Sequence, residues 1–224
     1  DRVIYTWAGP EIAVASTKAY TTQLMCLYLL AIKMGEVRGT IAKDDYLRLL
    51  KQLEEIPEKA KRIVENQPVI QKFASEQFNK AKIFYIGRLF DSASSMECAL
   101  KLKEVSYMHS EAFAAGELKH GPIALVDNST LVVALATEPA LYEKIASNIL
   151  EVKARGAATL VITQDCSGAF KNCADTTIQI PECENNLASI ISVIPAQLFA
   201  YYCAVQKGLN PDMPRNLAKS VTVE

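Results

Sequence analysis

Only two histidines, His109 and His120, occur in the 224 residues, and the six cysteines form no C-x-x-C pair. A structural zinc site is built from about four such ligands in paired spacing, so no metal is expected. Cys26, Cys98, Cys166, Cys173, Cys183 and Cys203 fall mostly inside apolar segments, where a free thiol behaves as a small hydrophobe. A reducing, cytoplasmic compartment is the expectation. Charge of one sign is also missing: 24 Lys and Arg face 25 Asp and Glu, for a net charge of −1. No basic field is left to hold nucleic acid or an anionic membrane. There is no G-x-G-x-x-G, no Walker loop and no G-x-S-x-G. Nucleotide-binding and serine-hydrolase chemistry therefore lack their backbone devices, and nothing calls for a cofactor. Residues 185–206 are uncharged and long enough to consider as a membrane span. Ser189, Ser192, Pro195, Gln197 and Gln206 interrupt that stretch and no basic cluster flanks it, the pattern of a buried helix. Residues 24–32 are too short an apolar run for a signal peptide or anchor. The chain opens on Asp1 rather than Met, as expected of a fragment of something longer or of a processed chain.

Half of the residues are hydrophobic, enough for a sizeable core. Val3–Trp7 reads as a strand, followed by a loop and a helix over about Ser16–Met34. Gly35 and Gly39 close that helix, and a composition shift near Gly39 marks a domain boundary. Asp44–Asn66 is helical in pattern, with Pro57 expected to break it. Ile83–Ile86, Leu131–Ala136, Leu160–Thr163 and Thr177–Ile180 are short, continuous apolar or β-branched runs, the signature of strands buried on both faces. Helical segments lie between most of them, at about Asp91–Met108, Glu138–Arg155 and Glu184–Lys207, with starts expected at Asp91 or Ser92 and at Thr137. The fold class is α/β, a doubly wound parallel sheet with flanking helices. Residues 208–224 hold Pro211 and Pro214 without a sustained period, and composition alone marks them as a disordered tail.

On a helix, Glu97, Lys101, Glu104 and Met108 share one narrow stripe, while Cys98, Leu100, Leu102, Val105 and Tyr107 cover much of the rest. The bland reading is a solvated face with ion pairs of about 0.2–0.5 kcal/mol each. The functional reading is a lined cleft, in which a carboxylate acts as base and a lysine holds developing negative charge. In Ala115-Gly116-Glu117-Leu118-Lys119-His120-Gly121-Pro122, His120 stands between two glycines. It is either a surface histidine or a proton shuttle suited to neutral pH. His109 lacks such surroundings and is read as structural. Lys219 reads, on composition, as an ordinary tail lysine.

A resemblance changes this picture. Residues 9–20 (GPEIAVASTKAY), residues 99–104 (ALKLKE), residues 114–122 (AAGELKHGP) and the ending PRNLAKSVTVE closely resemble the glucosamine-6-phosphate synthase family, from the first residue to the last. In that family a glutaminase releases ammonia from glutamine, and two sugar-isomerase (SIS) units convert fructose 6-phosphate and ammonia to glucosamine 6-phosphate. The resemblance implies that residues 1–39 end a first SIS unit, residues 40–208 form a complete second one, and residues 209–224 are a tail that closes over substrate. The glutaminase domain and the serine- and threonine-rich phosphate loop precede these parts in the family. By motif, Glu104 resembles the base that moves the proton between C1 and C2 of the opened sugar, and Lys101 the lysine that steadies charge beside it. Lys219 resembles the amine that forms a Schiff base with the ketose. His120 resembles the ring-opening histidine, which the family contributes across subunits, so a homodimer is implied. Val14, Ser16 and Ala218 match sugar contacts. If this chain holds a phosphate seat of its own, it lies where Gly87 meets Ser92, Ser94 and Ser95. Two alternatives stay open: a non-catalytic SIS module that senses sugar phosphates, and an inactive remnant of the synthase.

Overall fold

In the computed structural model, which describes residues 2–220, the apolar runs form one parallel sheet. Its strands are β1 (Lys82–Gly87), β2 (Ser110–Ala114), β3 (Thr130–Ala136), β4 (Ala158–Thr163) and β5 (Thr176–Gln179). Their order is β2-β1-β3-β4-β5, all pairs parallel. The helices are α1 (Lys18–Val37), α2 (Lys43–Glu65), α3 (Gln67–Gln77), α4 (Phe90–Ser106), α5 (Tyr142–Lys153), α6 (Ala188–Ile191) and α7 (Val193–Gln206). Continuous apolar strands make sense because successive side chains point to opposite faces and both faces are covered. Ile83, Tyr85, Leu131, Val133 and Leu135 join a core with α3, α4 and α7. Phe84, Ile86, Val132, Ala134 and Ala136 join a second core with Ile145, Ile149 and Val152 of α5.

The turn from β1 into α4 depends on Gly87. A Cβ at this position stands 2.4 Å from the carbonyl carbon of Asp91, so any side chain pushes the first turn of α4 away from the sheet. Gly87→Ala is therefore expected to cost about 1–3 kcal/mol by overpacking, read as a lower urea midpoint with an unchanged slope. An unchanged midpoint contradicts this account of the turn.

Several sequence expectations need correction. Val3–Trp7 forms no strand: it is exposed, with Trp7 90% exposed and at a positive φ of 52°, because no neighbouring strand among the described residues offers it a ladder. Pro57 does not break α2, which continues from Lys43 to Glu65 around the buried Leu53, Ile56 and Ile63. Neither Asp91 nor Ser92 caps α4; Leu89 occupies that position with a positive φ of 52°. The Asp91 carboxylate instead accepts the Thr137 N–H and hydroxyl, each at 2.8 Å, which takes Thr137 away from capping as well. The helix expected from Glu138 starts at Tyr142, after a 3-10 turn over Pro139–Leu141. Residues 184–207 form a 3-10 turn, α6 and α7 rather than one helix. The break falls at Ser192, between Ile191 and Val193, and a proline at 195 disfavours a helical hydrogen bond to the carbonyl four residues earlier, that of Ile191. Of the most apolar 18-residue window within residues 185–206, 67% is buried inside the structure, as a core helix requires. The strand β2 and the helix α3 were not expected.

The tail is docked rather than free. The Val14 N–H donates to the Asp212 carbonyl at 3.0 Å. The Arg215 N–H donates to the Tyr107 hydroxyl at 2.7 Å, and its guanidinium lies 4.3 Å above the Tyr107 ring. The last four residues of the PRNLAKSVTVE ending, together with residue 1, lie outside the described residues.

Candidate functional site

α4 is apolar around most of its circumference and packs between the sheet and α7, so its charged stripe is drawn inward. Lys101 Nζ lies 2.6 Å from Glu104 Oε2 and 3.6 Å from Glu97 Oε1. The three side chains are only 6%, 21% and 14% exposed in the order Lys101, Glu104, Glu97. A solvated face does not look like this. Two carboxylates share one buried cation, and removing such a cation leaves buried charge uncompensated. Burial pushes the Glu97 carboxyl above its ordinary value; Lys101 pulls it down and Glu104 pushes it further up. Tyr20 of α1 feels the same surroundings: burial, with Glu97 adding to it, pushes its hydroxyl up to about 12.

Glu104 also lines a groove of about 540 Å³ with Tyr107, His109, Arg215 and Leu217. Lys101 lines a smaller cavity of about 150 Å³ with Ala13, Ala15, Thr17 and Asp212. One flank of α4 thus meets both the segment before α1 and the tail. The arrangement offers a carboxylate base open to a groove, with an ammonium 2.6 Å away to hold charge,.

The segment before α1 is folded into a hook. The Ser16 hydroxyl donates to Glu11 Oε2 at 2.9 Å, the Thr17 N–H to Glu11 Oε1 at 3.2 Å, and Lys18 Nζ to the Pro10 carbonyl at 2.6 Å. Lys219 Nζ reaches this hook from the tail, 2.6 Å from Glu11 Oε2, 2.9 Å from the Ala13 carbonyl and 3.5 Å from Ser16 Oγ. Lys219 and Ser16 thereby meet on the segment whose Ala13, Ala15 and Thr17 line the Lys101 cavity, and Ala218 is exposed next to Lys219 in the chain. Leu217 lines the Glu104 groove, and two residues of extended chain span at most about 7 Å, which bounds how far the Lys219 backbone lies from it. The Val14 N–H is already used by Asp212, so a backbone contact from Val14 to a ligand falls to its carbonyl.

His120 is not brought to this flank. It is exposed on a 3-10 turn after β2, and the five residues of β2 carry the chain about 16 Å back toward the carboxyl end of the sheet, away from the end of α4 near Glu104. His109, read as structural, is instead exposed and lines the Glu104 groove, with Nε2 3.4 Å from Glu111 Oε1. The roles of Glu11 and Tyr107 gave no local sequence signal, because both depend on contacts with the tail.

Parallel α/β sheets usually bind ligands where the strand order reverses, here between the carboxyl ends of β1 and β3. That crevice is sewn shut. Asp91 is tied to Thr137, and burial pushes its carboxyl above the ordinary range against those hydrogen bonds. Arg88 donates to Asn148 Oδ1 at 3.0 Å. Ser94 and Ser95 are buried, and the Ser95 hydroxyl donates to the Asp91 carbonyl at 2.7 Å. The candidate site therefore lies on the flank of α4 and not at the switch point of this sheet.

A family model described as the SIS domain matches residues 78–207. Over its full length the chain is 52% identical to the glutamine–fructose-6-phosphate aminotransferase [isomerizing] of Caldanaerobacter subterraneus subsp. tengcongensis and 47% identical to that of Thermus thermophilus. It spans 37% of the length of each of these relatives. Among solved structures, the C-terminal domain of glucosamine-fructose-6-phosphate aminotransferase from Francisella tularensis superposes with a TM-score of 0.86 at 32% identity, covering 92% of this chain and 58% of that one. A putative tagatose-6-phosphate ketose/aldose isomerase from Clostridium novyi shares the fold, with a TM-score of 0.81 at 21% identity, covering 95% of this chain and 55% of that one.

Proposed function

The chain belongs to the SIS-domain family, and on that footing we propose that it is the isomerase part of a glutamine-dependent synthase that makes glucosamine 6-phosphate from fructose 6-phosphate and ammonia. Glu104 moves the proton between C1 and C2, and Lys101 steadies the negative charge that forms on the sugar oxygens. Lys219 condenses with the open-chain ketone, while Ser16, the Val14 carbonyl and Ala218 hold the sugar. Residues 1–39 complete a preceding SIS unit, residues 40–208 form their own, and residues 209–224 are the closing tail. The glutaminase domain belongs to the same polypeptide.

The observation that supports the reading is the meeting of the tail amine and the Ser16 hydroxyl, 3.5 Å apart, in the segment whose Ala13, Ala15 and Thr17 line the Lys101 cavity. A module that only senses sugar phosphates has no use for a reactive lysine delivered by a tail. His120 acts from a second copy of the chain. What supports a homodimer is the exposed apolar pair Met96 and Leu100 on the helix that carries Glu104, with Leu89 exposed at its cap. The six unpaired thiols suit a reducing, cytoplasmic setting,.

The complete polypeptide, given fructose 6-phosphate and glutamine, is expected to form glucosamine 6-phosphate. Sugar-phosphate binding without turnover contradicts this reading and favours a sensing module. The 224-residue chain alone is expected to show no saturable calorimetric binding of fructose 6-phosphate at millimolar concentration. The start of α4 after β1 has Ser94 and Ser95 buried and an acid, Asp91, in the first turn, the reverse of what a phosphate needs. A micromolar dissociation constant contradicts that argument.

A further inference from the structure

We infer that Glu11 is the positioning residue that holds the Lys219 amine against the sugar-binding segment. The inference rests on the reading of Lys219 as the reacting amine and adds a second residue to it.

Glu11 sits in a loop whose neighbours Pro10 and Ile12 are exposed, yet its own side chain is only 13% exposed. Its two oxygens do different work. Oε1 accepts the Thr17 N–H at the start of α1, which is an ordinary use of a carboxylate at a helix N-terminus. Capping needs nothing more. Oε2 accepts both the Ser16 hydroxyl and the Lys219 ammonium, and so joins a sugar-contacting side chain to a residue 208 positions away in sequence. The tail is pinned at Asp212 and at Arg215. Residues 215–220 are exposed, and Asn216 turns the chain with a φ of 62°. Past Arg215, the contacts that place the Lys219 amine are those it makes with Glu11, Ala13 and Ser16, and of these three partners Glu11 alone carries charge.

Glu11 orients the amine and does not deprotonate it. Burial raises its carboxyl, but hydrogen bonds from Lys219, Ser16 and Thr17 outweigh burial and hold the group below its ordinary value. Such a carboxylate is a poor acceptor for an ammonium proton. The contact is a resting one, which fixes the amine beside Ser16 and opens when the amine turns to a carbonyl.

The test uses the 224-residue chain and a probe that is not a sugar: reductive methylation of lysines by formaldehyde and dimethylamine–borane, with rates resolved by peptide mass. Glu11→Gln keeps an oxygen for the Thr17 N–H and removes the charge. Lys219 is expected to be labelled more slowly than the exposed Lys119 and Lys171 in the unaltered chain. In Glu11→Gln its rate is expected to rise about two- to five-fold, the range of a partly exposed ion pair, with the other lysines unchanged. An unchanged Lys219 rate overturns the inference, because a residue that only caps α1 predicts that result. A reciprocal measurement covers poor folding of the Gln variant. In Lys219→Met, the Glu11 carboxyl, followed by carbon-detected NMR, is expected to titrate closer to an ordinary glutamate; an unmoved titration overturns the inference as well. Failure of fructose 6-phosphate to react at Lys219, with both results as expected, instead sinks the reading of the reaction and leaves this contact standing.

Discussion

Replacing Glu104 with Gln in the complete polypeptide is expected to slow aldose–ketose interconversion by about 10²–10⁴-fold, the usual cost of losing a general base. The shape of the side chain is kept, and its amide oxygen still accepts a hydrogen bond from Lys101, now 2.6 Å from Glu104, so the fold is not at stake. Basicity is what disappears. Because the proton moves only in the transition state, the loss belongs in kcat with KM little changed. Deuterium exchange from solvent into fructose 6-phosphate reads the same step without relying on product formation. A near-normal rate in this variant removes Glu104 from the mechanism. If the base is then sought elsewhere on the flank, Glu97 is a poor substitute, since it shares Lys101 at 3.6 Å and does not line the Glu104 groove.

The core of the fold was legible because buried parallel strands are written as unbroken apolar runs, and Ile83–Ile86, Leu131–Ala136 and Leu160–Thr163 all lie within observed strands. β2 was not legible. It is an edge strand containing Ser110 and Glu111, half covered, and carries neither an apolar run nor clean alternation. Asp91 misled for a different reason: an acid before a helical pattern looks like a cap, while a partner 46 residues away decides its role. Pro57 misled in the opposite sense, because burial of one face of α2 overrides a local breaker. At the site, the Glu97–Lys101–Glu104 stripe could be read from helical periodicity alone, since its partners lie within one turn or two. Lys219 could be reached only through resemblance, and Glu11 not at all, because their pairing spans nearly the whole chain.

The most direct test of the central claim is to mix the complete polypeptide with fructose 6-phosphate, reduce with borohydride and locate the adduct by peptide mass. A lysine condenses with a ketone when its amine is held beside the carbonyl and can be neutral there. Of the lysines of this chain, the one held on the Ser16 hook by the tail is Lys219. Lys101 is committed to two carboxylates, and Lys119 is exposed on the 3-10 turn that carries His120. The adduct is expected on Lys219, and Lys219→Arg is expected to abolish it while leaving the fold intact. An adduct on Lys101 or Lys119, with none on Lys219, contradicts the account.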